Sequence, residues 1–305
     1  MFVDPVRARL SLSADIDQDV FAASVAFDLM LKPQLNQKIT NITLHAVGLS
    51  FDHRNVSLYG YAQATPSKSR HSAASSNHLT NYLSHDIAST HSLLSHNVPK
   101  DDPPLPALHP TQVIFNPHSE TVTLVFPIPL RHQDPSTPLT LHITFTGPIG
   151  YKSMRGFFKS PIPSSVLPPN KPKFIAATHF EPLSARRAFP CFDEPHFRLF
   201  WTLVVAVPKL KKKDLLPIIV VSNRDVESVT EDPRVKGWNV WRFQEGEERM
   251  PSYLVAWGIG QVEAVEETAL VGTTKKGIKV RGFVYEGVEK DNVRYVYIYW
   301  MLPDN

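Results

Sequence analysis

Charged side chains that could pair with one another are concentrated in a single segment, His179–Pro195. Asp193 and Glu194 follow Arg186 and Arg187 by only a few residues. Carboxylate and guanidinium groups at this separation can form charge-assisted hydrogen bonds, which would hold the segment in a tight turn. The spacing therefore predicts an architectural role for these four side chains.

The same segment carries the one cysteine of the sequence, Cys191. A thiolate is a nucleophile, but no flanking histidine and asparagine complete a catalytic arrangement, so we interpret Cys191 as a buried, unreactive thiol. Pro190 and Pro195 fix the backbone angle φ, and Phe189 and Phe192 favour burial. We expect these residues to form a structural motif and not a catalytic one.

The 13 histidines do not follow a metal-binding pattern. His85, His91 and His96 are spaced by six and five residues, which is not the i, i+4 spacing of a helical zinc motif. No cysteine or carboxylate cluster accompanies them. The sequence therefore predicts no metal site.

The elements that must position the charged segment are predicted to be short strands. Proline accounts for 27 of the 305 residues, nearly twice the average share of ~5%, and proline breaks helices. Residues Leu139–Thr146 alternate apolar and polar side chains, as a half-buried strand does. Further strands, rich in Val, Ile, Phe and Thr, are predicted at Val20–Leu31, Ile39–Val47, Thr121–Ile128, Phe200–Val207, Ile218–Val221 and Tyr253–Val265. We expect an all-β fold, an antiparallel sandwich or curved sheet.

Residues 63–110 differ from the rest of the sequence because Ser, His, Asn and Pro dominate them. They offer too little apolar surface to offset their ordering entropy, so we expect a flexible insertion between two strands. Residues 81–96 are the one part able to form a short helix.

Charge and composition exclude several classes of protein. The net charge is +3, and the one compact basic run, Lys209–Lys213, has no aromatic or glycine-rich neighbours, so we expect no nucleic-acid binding. No stretch approaches the ~18 apolar residues of a membrane span. A single cysteine and an N-terminus without an apolar core favour a cytoplasmic location.

Four motifs in order resemble the N-terminal domain of the M1 zinc aminopeptidases. The segment His179–Pro195 is similar to the family's signature, in which Thr-Gln-Phe-Glu-Pro runs into Asp-Ala-Arg-Arg-Ala-Phe-Pro-Cys-Phe-Asp-Glu-Pro. Gly150–Ser160 resembles its Gly-Phe-Tyr-Arg-Ser turn, Val220–Asn223 its Val-Ser-Asn strand end, and Met250–Trp257 its Met-Ser-Thr-Tyr-Leu-Leu-Ala-Phe strand. The resemblance spans about residues 4–267 and implies the family's saddle-like β-domain.

The resemblance also implies a substrate-binding role for two residues. Glu181 matches the carboxylate that reaches into the family's active site and binds the free α-amine of the substrate. A fixed carboxylate suits an exopeptidase because it pairs with one ammonium group and excludes internal peptide segments. His179 stands where the family usually has glutamine, and imidazole cannot offer the simultaneous donor and acceptor of an amide.

The zinc-binding parts of the family do not occur in these residues. The Gly-Ala-Met-Glu-Asn loop is absent, and none of the 13 histidines begins a His-Glu-x-x-His motif. The resemblance therefore places zinc in a catalytic domain outside this sequence, and we expect no cofactor in this chain and no peptide hydrolysis by the chain alone.

The sequence predicts a β-domain over residues 1–268 and a truncated start of the catalytic domain over 269–305. The aromatic tail at 295–302 is expected to self-associate or to bind a partner protein through the interface left without its catalytic domain. Three functions stay open: a non-catalytic domain that binds peptide N-termini, one part of a split or incompletely described aminopeptidase, and a β-sandwich interaction module.

Overall fold

The computed structural model describes residues 3–32, 38–61, 107–131, 138–161, 174–209, 218–233, 235–271, 276–285 and 301–302. They form seventeen strands: β1 (Val3–Asp15), β2 (Val20–Leu31), β3 (Asn41–His45), β4 (Val56–Tyr59), β5 (Gln112–Asn116), β6 (Thr121–Val125), β7 (Leu139–Pro148), β8 (Gly156–Pro161), β9 (Phe174–His179), β10 (Phe200–Pro208), β11 (Ile219–Ser222), β12 (Val226–Glu231), β13 (Trp238–Phe243), β14 (Trp257–Gly260), β15 (Val262–Val271), β16 (Lys276–Tyr285) and β17 (Met301–Leu302). The described helices are three short 3-10 turns at His53–Asn55, Ala185–Arg187 and Ser252–Leu254.

The strands assemble into four sheets. The largest has seven strands in the order β12-β13-β10-β1-β2-β7-β4. A second has the order β11-β14-β9-β8, and two three-stranded sheets have the orders β3-β6-β5 and β15-β16-β17. Every named strand pair is antiparallel except β1 with β10, which is parallel.

The alternation of side chains in β1 shows why these sequences form strands. Leu10 and Leu12 are buried in the core, as period-2 geometry requires of one strand face. Arg9 lies on the opposite face, where its two terminal nitrogens each donate a 2.6 Å hydrogen bond to the Asp28 carboxylate on β2. This bidentate cross-strand pair joins the first two strands.

Aromatic contacts join the sheets into a sandwich with one main core. Phe21 of β2 meets Phe157 of β8 edge to face at 5.5 Å, which packs the seven-stranded sheet onto the four-stranded one. Phe157 in turn contacts Trp257 of β14 at 5.3 Å. The main cluster of buried residues includes side chains from these two sheets and from the β3-β6-β5 sheet.

The all-β fold predicted from the sequence is confirmed, since the described residues contain no α-helix. One predicted strand is wrong: Tyr253–Val265 divides into the end of a 3-10 turn, β14 and the start of β15. The interruption follows from a turn at Gln261. Among the described residues, no helix combines the length and the apolar character needed to cross a membrane.

Several sequence predictions fall largely outside the described residues. The insertion at 63–110 is described only from residue 107, where Leu108 and Leu58 exchange two backbone hydrogen bonds of 2.9 Å. The short helix at 81–96 and most of the tail at 295–302 lie in the undescribed part, while β17 pairs with β16. The boundary at residue 268 falls within β15, and the division into two domains stays a prediction.

Candidate functional site

The end of β9 presents two side chains to solvent and buries the one between them. His179 and Glu181 are exposed, whereas Phe180 is 2% exposed. Phe180 packs edge to face against Phe189 at 5.6 Å and against Trp257 at 5.3 Å. The buried ring therefore fixes the backbone from which the two polar side chains project.

Glu181 begins a tight turn after the strand. The turn closes where the Ser184 backbone N–H donates to the Phe180 carbonyl oxygen at 2.7 Å, and the Glu181–Pro182 peptide bond is cis. No hydrogen bond or ion pair joins the Glu181 carboxylate to another residue that the structure describes. It is thus an exposed negative charge on a backbone held by packing and by a hydrogen-bonded turn.

His179 is tied to the loop at residues 151–155, which precedes β8 and is called the 151–155 loop below. The distance from His179 Nδ1 to the Met154 carbonyl oxygen is 3.0 Å. A carbonyl oxygen can only accept, so Nδ1 carries the proton. In the neutral imidazole, Nε2 is then an acceptor available to solvent or to a ligand.

Arg186 is the centre of a buried ionic network. Its Nε donates to Asp193 Oδ2 at 2.7 Å, and its Nη1 donates to Glu120 Oε2 at 2.9 Å. Asp193 is only 1% exposed, and burial raises the pKa of its carboxyl group although the Arg186 hydrogen bond and charge lower it. The predicted pairing of Arg186 with Asp193 is confirmed.

The other two charged residues of the segment pair differently from the sequence prediction. Arg187 does not meet Asp193 or Glu194 but approaches Glu120, with 3.7 Å from its Nη2 to Oε1. Glu194 Oε2 instead lies 3.7 Å from Nδ1 of His45. Both partners come from distant parts of the sequence, so the local spacing carried no signal for either of them.

His45 is held against the segment by its backbone. It exchanges hydrogen bonds of 2.8 and 3.0 Å with Cys191, which joins the end of β3 to the signature residues. Burial and the charge of Arg186 lower the pKa of the His45 imidazole, and they outweigh Glu194, which acts in the opposite direction. The imidazole is therefore neutral at pH 7.

The interpretation of Cys191 as an inert thiol agrees with its surroundings. The residue is completely buried, and burial raises the pKa of its thiol well above the ordinary value. Phe189 and Phe192 are buried as predicted, and Pro190 is buried while Pro195 is exposed. These residues hold the segment together and have no access to a substrate.

The described residues do not offer a metal-binding set. No group of three or more His, Cys, Asp or Glu side chains among them is arranged to hold a metal ion. The nearest approach to such a set, His45 with Asp193 and Glu194, has its acidic members committed to Arg186 or buried beside the imidazole. The residues therefore do not fit a zinc site.

Comparison with known proteins gives a family match to about half of the chain. Residues 107–254 match the family model described as the peptidase M1 N-terminal domain. Endoplasmic reticulum aminopeptidase 1 of Homo sapiens is 31% identical over 184 residues, which are 60% of this chain and 17% of that protein. Puromycin-sensitive aminopeptidase of Caenorhabditis elegans is 27% identical over 212 residues, 69% of this chain and 20% of that protein.

A plant relative gives the same picture. Aminopeptidase M1-B of Oryza sativa subsp. japonica is 34% identical over 152 residues, 50% of this chain and 15% of that protein. The matched part of this chain thus spans a fifth or less of the length of these three relatives.

Proposed function

Because this chain carries an M1 peptidase N-terminal domain, we propose that it supplies the substrate-anchoring part of an aminopeptidase of that family. In this proposal, Glu181 binds the free α-ammonium group of a peptide, and His179 contacts the first residue. The zinc that activates water belongs to the catalytic domain of the family, and the chain described here does not hydrolyse peptides by itself.

The observation that supports the proposal is the exposure of Glu181 on a fixed backbone. The other acidic residues of the segment are engaged: Asp193 with Arg186, and Glu194 beside His45. Glu181 stands apart from that network because the buried Phe180 directs it to the other side of the strand end. An ammonium ion that approaches this carboxylate displaces no ion pair formed with a described residue.

A carboxylate alone selects an amino terminus over an internal peptide bond. An internal amide nitrogen carries one hydrogen and no charge, whereas an α-ammonium group carries a full positive charge and three donors. The free-energy difference for a partly exposed pair is about 1 kcal/mol, which corresponds to roughly a fivefold difference in affinity. This modest anchor is consistent with a site completed by a second domain.

The lack of catalysis by this chain in the proposal follows from its residue types. Zinc hydrolases of this kind need two histidine ligands, a carboxylate ligand and a general base. The 305 residues contain no His-Glu-x-x-His motif. The cytoplasmic location predicted from the sequence stays a prediction.

Peptide titration followed by two-dimensional NMR tests the proposal. A tripeptide amide with a free amino terminus is added to the purified chain, and the same peptide with an acetylated terminus serves as the comparison. We expect the free amine to bind at least about fivefold more tightly than the acetylated peptide, with shifts centred on residues 179–184. In parallel, aminoacyl arylamides should not be hydrolysed by the chain.

Two variants of equal charge change sharpen the test. Glu181→Gln should abolish the preference for the free amine, because the amide cannot form the ion pair. Glu227→Gln removes an exposed carboxylate on β12 and should leave the preference unchanged. Equal binding of both peptides by the wild-type chain, or an unchanged preference in Glu181→Gln, rejects the anchoring role.

A further inference from the structure

The 151–155 loop is fixed to the anchoring site at its base. The Gly150 N–H donates to the Phe157 carbonyl oxygen at 2.9 Å, and the Lys159 N–H donates to the Gly150 carbonyl oxygen at 2.6 Å. These bonds close the loop as a short hairpin. The loop therefore leaves the sheet at a defined position and does not hang freely.

A second attachment lies at Gly156, where the loop enters β8. Gly156 has a φ of +73°, and a Cβ atom at this position would lie 2.8 Å from the Cβ of Arg187. Only glycine permits so close an approach to the signature segment. The loop is thus packed against the same segment that carries Glu181.

The third attachment is the hydrogen bond from His179 Nδ1 to the Met154 carbonyl oxygen. Alternate side chains of an extended strand lie on the same face, about 7 Å apart. The exposed His179 and Glu181 are two residues apart with the buried Phe180 between them. The loop, the imidazole and the carboxylate consequently border one exposed surface.

The loop brings two kinds of side chain to that surface. Tyr151 is 62% exposed and Met154 is 67% exposed, which is unusual for large apolar residues and marks them as candidates for a contact. Lys152 and Arg155 are also exposed, and the Lys152 ammonium lies 5.8 Å from the centre of the Tyr151 ring. The surface beside Glu181 is therefore apolar and positively charged.

We propose that the 151–155 loop selects the first residue of the bound peptide: Met154 and Tyr151 pack against an uncharged, apolar side chain, and Lys152 and Arg155 disfavour lysine or arginine. The proposal rests on the proposed amine-binding role of Glu181, because that carboxylate places the first residue of the peptide next to the loop. The two cations repel a third positive charge. Packing against a flexible thioether accommodates apolar side chains of several shapes.

The experiment compares three tripeptide amides that differ only in their first residue: Met-Ala-Ala, Ala-Ala-Ala and Lys-Ala-Ala. Dissociation constants are measured by NMR titration of the full chain. We expect the methionine peptide to bind at least about fivefold more tightly than the lysine peptide. In the double variant Lys152→Glu/Arg155→Glu, the lysine peptide should bind at least as well as the methionine peptide.

Two controls separate the loop from general effects. Arg131→Glu/Lys236→Glu makes the same charge change on other exposed turns and should keep the wild-type order of peptides. Met154→Ser should weaken binding of the methionine peptide while leaving the alanine peptide unchanged, which a folding defect would not do.

The outcomes distinguish this inference from the function on which it rests. If no free-amine peptide binds, or if binding does not depend on Glu181, the anchoring role itself fails. If Glu181-dependent binding is seen but the three peptides bind equally well, anchoring stands and the selectivity of the 151–155 loop is rejected. An unchanged preference for methionine in Lys152→Glu/Arg155→Glu likewise overturns the charge argument.

Discussion

At the scale of single residues, Arg186 holds the signature segment together. It is 6% exposed and pairs with Asp193 from its own segment and with Glu120 from the turn before β6. One guanidinium therefore joins two parts of the chain that are 66 residues apart. A buried charge with two partners is a position where substitution of either side leaves an uncompensated ion.

We predict that Arg186→Met strongly destabilises the fold, because it leaves the buried Asp193 carboxylate without its cation. The expected loss is about 3–5 kcal/mol in the free energy of unfolding. Urea denaturation followed by tryptophan fluorescence measures it. The matched variant Arg187→Met removes an exposed guanidinium at 3.7 Å from its partner and should change the free energy by less than about 1 kcal/mol.

The double variant Arg186→Met/Asp193→Asn decides how the loss arises. It replaces the unpaired carboxylate by a neutral amide and should recover part of the lost stability. If Arg186→Met and Arg187→Met have equal, small effects, the network does not stabilise the fold.

The pairing of Arg186 with Asp193 was predictable because both residues lie within seven positions of each other. The roles of Glu120 and His45 were not predictable, because strand pairing alone brings them to the segment. The loop contact of His179 was likewise hidden, since its acceptor is a backbone carbonyl and not a side chain. Sequence spacing thus predicts contacts within the segment but not contacts between segments.

At the scale of elements, the strands with regular composition were the predictable ones. The predicted strand Val20–Leu31 has the bounds of β2, and Phe200–Val207 differs from β10 by one residue. β1 was missed although Ala8, Leu10 and Leu12 alternate with polar residues, because Ser and Arg on the other face weaken its apolar signal. The packing of the 151–155 loop depends on a positive φ at Gly156, which composition does not reveal.

We predict that Gly156→Ala destabilises the junction between the 151–155 loop and the signature segment. The positive φ and the 2.8 Å approach to Arg187 both oppose a Cβ atom, and together they should reduce the free energy of unfolding by about 2–4 kcal/mol. Gly48 has a similar φ of +70°, but a Cβ atom added there would meet no other atom within 4 Å. Gly48→Ala should therefore lose only about 1 kcal/mol.

Chemical denaturation of the two variants side by side checks this difference. The same samples also report on the site, because Gly156→Ala should weaken peptide binding by displacing the loop, whereas Gly48→Ala should not. Equal losses of stability in both variants would show that the contact with Arg187 is unimportant.

At the scale of the whole molecule, two histidines in different sheets link stability to pH. Burial lowers the pKa of His142 on β7 below 6.5, and the charge of Arg9 acts in the same direction. Burial and Arg186 lower the pKa of His45 at the end of β3. The unfolded chain takes up protons at these positions near pH 6.5, whereas the folded chain resists until the pH is lower.

We predict that the free energy of unfolding falls as the pH is lowered from 7.5 to 5.5, since the unfolded state then binds more protons than the folded state. The urea midpoint at the two pH values measures the change. His142→Gln should reduce the pH dependence, and the exposed His118→Gln should not. A midpoint that is the same at both pH values would contradict the prediction.

The acidic residues around His45 define the range in which this experiment is clean. Glu194, Asp193 and Glu120 all raise the pKa of His45 but are outweighed. The raised pKa of Asp193 has the opposite effect on stability, because its folded form takes up a proton more readily than the unfolded carboxyl with its value of 3.8. The comparison is therefore kept at pH 5.5 and above.

The parallel pairing of β1 with β10 has a consequence for the synthesis of the protein. Arg7 lies opposite Phe200, so the two strands meet only after the intervening chain has left the ribosome. At ~5–20 residues per second this takes on the order of 10–40 s. During that time β1 and β2 can form their hairpin, but the other edge of β1 stays open to pairing with a wrong partner. Nascent chains that end between β2 and β10 should therefore depend on chaperones more than the finished protein does.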